Sequence, residues 1–118
     1  MMDADKSRLL NILDRTKDIS RFISGCNQET FIENDEKQNA VVMCLLRIGE
    51  NANKLSAEFI AANSQVSWRP IINLRHIAAH KYDSLQMLDV WVNATVDVPI
   101  LRAKIENILE DTASNISS

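Results

Sequence analysis

The sequence predicts an all-α fold, a four- to five-helix up-and-down bundle, and three observations predict it. Gly and Pro number two each in 118 residues, too few for the tight turns that a sandwich or barrel needs at short intervals. Apolar residues recur at steps of three and four over long stretches, the period of a helix that buries one face. No segment alternates apolar and polar residues as a half-buried strand does. Hydrophobic residues make up 46% and charged residues 25%, the balance of a folded globular chain. The length is that of one domain with its own core, expected over 1–112, with 113–118 as a flexible tail.

The first helix is expected over about Asp5 to Ser24, where Leu9, Leu10, Leu13, Ile19, Phe22 and Ile23 follow helical spacing. Gly25 is a plausible stop, since it accepts the left-handed turn that other residues resist. Cys26 to Asn34 reads as a connector with a short turn around Thr30-Phe31-Ile32. The second and longest helix is expected over about Asp35 to Ala62, with Val41, Val42, Leu45, Ile48, Leu55, Phe59 and Ile60 as its stripe. Gly49 sits in its middle, where an interior Gly costs ~1 kcal/mol against Ala. Close approach of another helix is one reason for it, and a bend is another.

The third helix is expected to begin near Ser67, which can cap free amides. Pro70 falls in its first turn, where a missing N–H does no harm. Ile71, Leu74 and Ala78 would share one face, and the end is expected around His80 to Asp83. A last helix follows over about Ser84 to Glu110, with Leu85, Leu88, Val92 and Val96 on one side and Leu101, Ile105 and Ile108 continuing it. Pro99 should kink it or mark a break near Asp97-Val98.

No apolar run approaches the ~18–20 residues that cross a bilayer, and the polar start Met1-Met2-Asp3-Ala4-Asp5-Lys6 lacks a signal core. A cytoplasmic location away from membranes is the expectation. Cys26 and Cys44 match no zinc or redox spacing and read as plain thiols. The net charge is −3, yet Phe59 to Tyr82 contains no Asp or Glu while holding Arg69, Arg75, His76, His80 and Lys81. Such a locally positive stretch could hold a phosphate, although a short acid-free stretch also arises by chance.

The stretch that could carry chemistry is Arg75-His76-Ile77-Ala78-Ala79-His80-Lys81-Tyr82. Arg brings a permanent charge and a planar fork suited to phosphate. His can give or take a proton near neutral pH, and Tyr offers a hydroxyl. Together they could hold a phosphodiester and assist attack by a neighbouring ribose hydroxyl, which needs a base, an acid and stabilisation of charge on phosphorus. Arg75 and His80 lie about 140° apart on an ideal helix. They converge only if the helix ends near His80 or if two chains face each other.

Plainer roles remain open for each residue. Helix-terminal Arg and His often bond free carbonyls, and Tyr82 could simply pack with a wet hydroxyl. His76 and His80 have the spacing of a helical metal pair, but the Glu of a metalloprotease motif and a third ligand are missing. Glu50 could pair with Arg47 or Arg75, or be solvated. Trp68 and Trp91 read as core or interface anchors.

At Arg75…His80-x-Tyr82 the chain resembles the HepT-like branch of the HEPN superfamily. Ile48-Gly49-Glu50-Asn51-Ala52 is similar to that family's Ile-Gly-Glu-Ala-Ala stretch, with Asn51 in place of Ala. Trp68 ahead of Arg75, Val90-Trp91, and Asp97-Val98-Pro99-Ile100-Leu101 match further features. The likeness runs from about Asp3 to Asp111, and His76 stands where Asn is commoner. It implies a HEPN-like, homodimeric helical bundle with the Arg/His motifs of both chains lining a cleft. It implies a toxin of a HEPN/MNT (type VII) toxin–antitoxin system, acting as a metal-independent endoribonuclease without a cofactor. Arg75 would stabilise the scissile phosphate and His80 would be general base or acid, with His76 and Glu50 in support. The partner would be a cognate MNT-type nucleotidyltransferase antitoxin that transfers AMP to Tyr82, blocking the cleft with bulky negative charge. The alternative is a non-catalytic HEPN module that binds nucleotide, RNA or a nucleotidyltransferase partner, which the net acidity favours because RNA affinity rests on phosphate contacts.

Overall fold

A computed structural model describes residues 1–79 and 84–117, and among these every regular element is helical. The first helix, α1 (Asp3–Ile23), has Asp3 and Asp5 in its first turn, where acids complement the helix dipole. It stops at Ser24, and Gly25 takes φ 79°, the left-handed turn expected of it. The connector holds a short α2 (Gln28–Ile32), fastened by a reciprocal capping box between Asn27 and Thr30.

Next comes α3 (Asp35–Asn53), capped by the Asn34 side chain on the Lys37 amide. It packs along α1, and the two share the centre of the core, where Leu9, Ile12, Ile19, Val41, Leu45 and Ile48 are fully buried. Each such side chain contributes roughly 1.5–3 kcal/mol by leaving water. Two polar ties close this core at its edges. The Gln38 amide donates to the carbonyls of Phe31 and Ile32, and Lys37 Nζ donates to the Phe22 carbonyl at 2.7 Å.

The long second helix expected from the sequence is two helices. Asn53 ends α3, and α4 (Ala57–Ala62) starts afresh behind Ser56. The cause is a contact 51 residues away in sequence: the buried Asp5 carboxylate accepts from the Ser56 amide at 2.8 Å and from its hydroxyl at 2.7 Å. The Ser56 hydroxyl in turn accepts from the Phe59 amide. Charge-assisted bonds of this kind make the break more favourable than another turn of helix.

α5 (Trp68–Asn73) is short, and the Ser67 side chain caps no amide, contrary to expectation. Trp68 anchors this corner instead, buried, with its indole N–H on the Asn63 carbonyl and its ring edge-on to Phe59. The chain then tightens into a 3₁₀ segment over Leu74–Ala79 rather than continuing as α-helix. With three residues per turn, Ile71, Leu74 and Ile77 form the half-buried row against the core.

The last rod comprises α6 (Ser84–Val92), a π-turn over Asn93–Asp97, and α7 (Val98–Ser117). The kink or break expected near Asp97-Val98 takes the form of this π-turn, after which α7 begins at Val98 with Pro99 in its first turn. The Val98 amide reaches back five residues to the Asn93 carbonyl, a wider turn placed just ahead of a ring that would clash with a carbonyl four residues back. This widening keeps steps of four on one face. Val90, Ala94 and Val98 are buried, while Val92 and Val96, expected in the core stripe, are each 50% exposed in line with Ile100 at 51%. Leu10 on α1 is likewise outside the core, whose α1 face runs through Leu9, Ile12, Leu13, Thr16 and Ile19. α7 runs past the expected Glu110, through the segment read as a tail, to Ser117. Among the described residues, no helix is long and apolar enough to cross a membrane.

Candidate functional site around Arg75

Arg75 lies in the second position of the 3₁₀ segment, and the reason for its placement is on α3. A Cβ at Gly49 would lie 2.4 Å from the Arg75 backbone nitrogen and 3.1 Å from both Arg75 Cα and the Ile71 carbonyl oxygen. Of the two reasons the sequence left open for Gly49, the structure selects close approach, since α3 continues through it as regular helix. The segment begins to tighten at Leu74, whose amide points at the carbonyls of Ile71 and Ile72. Packing against α3 on one side and the half-buried Ile71–Leu74–Ile77 row hold it.

The Arg75 side chain is exposed and makes no ion pair with any described carboxylate. Glu50, next to Gly49, is also exposed and pairs with neither Arg47 nor Arg75 among the described residues, so the solvated alternative is the one the structure displays. His76 is exposed too, but faces elsewhere. One residue along a 3₁₀ helix is a third of a turn, and His76 borders a groove of about 460 Å³ between this segment and α6. Pro70, Leu74 and Ile77 give that groove apolar walls, with Asn73 and Asp89 among its polar groups. A neighbouring groove of about 280 Å³ shares Pro70 and Leu74 and extends to Ile100 and Lys104.

The structure thus brings Arg75 and Gly49 to one junction of two helices, leaves Glu50 exposed beside it in sequence, and sets His76 on the groove. His80 and Tyr82 lie outside the described residues, and with them the His76/His80 spacing. Among the described residues no group of His, Cys, Asp and Glu is placed to hold a metal ion. Asn73 was not singled out from the sequence. Its signal is its position three residues before His76, a spacing that puts two helical residues on neighbouring surface, and both border the groove.

Buried groups elsewhere are structural. Cys44 is buried on α3, and its thiol is pushed above its ordinary value of 9.0, first by burial and then by the nearby Asp18 charge. A raised thiol is the reverse of what a nucleophilic cysteine requires.

Comparisons with known proteins bear on this junction. The family described as Ribonuclease HepT-like matches residues 12–108, a span that includes Gly49, Arg75, His80 and Tyr82. The chain is 31% identical over 103 residues to "Putative RNase MJ0127" of Methanocaldococcus jannaschii, covering 87% of this chain and 85% of that protein. It is 29% identical over 106 residues to "Putative RNase MJ1216" of the same organism, covering 90% and 88%. It is 25% identical over 108 residues to "Probable ribonuclease HepT" of Thermococcus cleftensis, covering 92% and 98%. No solved structure matches the chain. With its all-helical bundle and a matched span covering most of its length, this chain belongs to the HepT-like ribonuclease family.

Proposed function

We propose that this protein is a metal-independent endoribonuclease, the toxin of a HEPN/MNT toxin–antitoxin pair. The observation that carries the reading is Arg75. The matched span includes it, and the fold presents its guanidinium to solvent, free of any described carboxylate, on a backbone seated directly against α3. A permanent, unpaired planar cation is what a scissile phosphate needs as its charge grows.

In this reading His80 removes the proton of a ribose 2′-hydroxyl. The O2′–P bond forms, the P–O5′ bond breaks, and the departing 5′-oxygen takes a proton, leaving a cyclic phosphate. Arg75 stabilises the negative charge on the non-bridging oxygens, worth about 10²–10³-fold in rate for one such donor. His76 and Glu50 are supporting residues, His76 from the groove side. The cognate nucleotidyltransferase silences the protein when the Tyr82 hydroxyl attacks the α-phosphorus of ATP and pyrophosphate leaves, placing an AMP where RNA would bind. A homodimer in the cytoplasm is part of the same reading. The half-exposed Val92, Val96 and Ile100 offer apolar surface for a second copy.

The test is expression of the chain alone beside Arg75→Ala and His80→Ala, with growth and total RNA integrity measured. Growth arrest with RNA fragmentation by the wild type, and by neither variant, is the expected result. Arrest by all three would sink the nuclease reading, and an adenylated Tyr82→Phe protein would sink the silencing step.

A further inference from the structure

Gly49 has a consequence for Arg75 that goes beyond packing. Its missing Cβ is opposed by backbone and not by the far end of a flexible side chain: the Arg75 nitrogen at 2.4 Å, Arg75 Cα at 3.1 Å and the Ile71 carbonyl oxygen at 3.1 Å. Ordinary contact starts near 3.4 Å, so a methyl group at position 49 requires the segment carrying Arg75 to retreat by about 1 Å. A misplacement of that size costs on the order of 10²-fold in rate when the displaced group must meet a reacting phosphate. The segment has somewhere to go, because the groove of about 460 Å³ borders it on the α6 side.

We propose that Gly49 is a positioning residue, setting the depth at which Arg75 stands toward substrate. This rests on the nuclease reading only for its effect on rate; the effect on geometry stands independently. The other glycine is a natural control. Gly25 carries a left-handed φ of 79°, but a Cβ placed there would have nothing within 4 Å. Gly25→Ala strains the backbone without crowding anything, whereas Gly49→Ala crowds Arg75 without a left-handed φ.

The experiment compares wild type, Gly49→Ala, Gly25→Ala and Arg75→Ala in RNA cleavage, at a temperature where circular dichroism reports all four folded. NMR resonances of the Leu74–Ala79 amides are recorded for each. Gly49→Ala is expected to lose about 10²-fold in kcat with KM near wild type, and to shift the Leu74–Ala79 amide resonances. Gly25→Ala should leave kcat and those resonances as in the wild type. Unshifted resonances in Gly49→Ala, a wild-type kcat in that variant, or an equal loss in Gly25→Ala would each overturn the proposal. If Arg75→Ala cleaves as well as wild type, the role given to Arg75 falls, and the amide resonances alone decide whether Gly49 sets its position. Should Gly49→Ala not fold, hydrogen exchange in the wild type decides: the Leu74 and Arg75 amides should open together with the centre of α3, and independent, faster opening overturns the proposal.

Discussion

Along α1 and α3 the hydrogen bonding is regular for 21 and 19 residues, the shared face is fully buried, and the ends are tied by side chains such as Asp5, Lys37 and Gln38. From Trp68 to Ala79 the chain is α for six residues and 3₁₀ for the next six, with half-buried contacts and grooves on its outer side. The candidate chemistry sits on the second region, whose backbone at Arg75 is seated against the first at Gly49. The α1–α3 pair supplies stability, and the thinner segment gains a defined position by resting on it.

That contrast can be broken by changing the first region and asking whether the second follows. The largest effect is expected from Ile12→Ala, a fully buried side chain on α1. It should cost about 2–5 kcal/mol in urea denaturation, while cleavage per folded molecule stays at wild type. A parallel loss of cleavage would mean that the two regions are not separable.

A smaller effect is expected from Asp5→Ala. It leaves the Ser56 amide and hydroxyl without their carboxylate, at about 1–3 kcal/mol for buried groups losing a partner. Amide exchange should quicken around Ser56 to Phe59 and not at Leu74. The smallest of the three effects is a pH dependence at Cys44. Its folded thiol ionises later than the unfolded one, by burial first and the Asp18 charge second. That contribution is fully present below 9.0, the unfolded value, and is lost as pH rises through the folded one. Stability measured across this range should therefore fall more steeply for wild type than for Cys44→Ala, and matching slopes would refute it. The partly exposed Cys26 should also be alkylated before the buried Cys44.

Much of this was legible in the sequence because it is local. Scarce Gly and Pro with a period near 3.6 specify helices through propensity and one-sided burial. Gly25 announces its turn through its own φ preference, and the Arg75, His80 and Tyr82 set with its Gly49-Glu50 companion carries the family likeness in residue identities alone. Gly49 also announced that it had a reason, though not which of two.

The rest was decided by contacts between distant parts of the chain, which no local period encodes. Asp5 divides the long second helix at Ser56 from 51 residues away. α6 buries Met87 and Val90 and leaves Val92 on the opposite, exposed side, and the π-turn ahead of Pro99 carries Ala94 and Val98 on in line with Val90 while Val96 stays exposed. The stretch bearing Arg75 and His76 becomes 3₁₀ where it meets α3, with the Arg75 backbone against Gly49 and His76 bordering the groove toward α6. Helical propensity is a sum over neighbours a turn apart. The position of Arg75 depends on how closely two backbones can approach, and that is settled only when the absence of one methyl group on α3 meets the segment it admits.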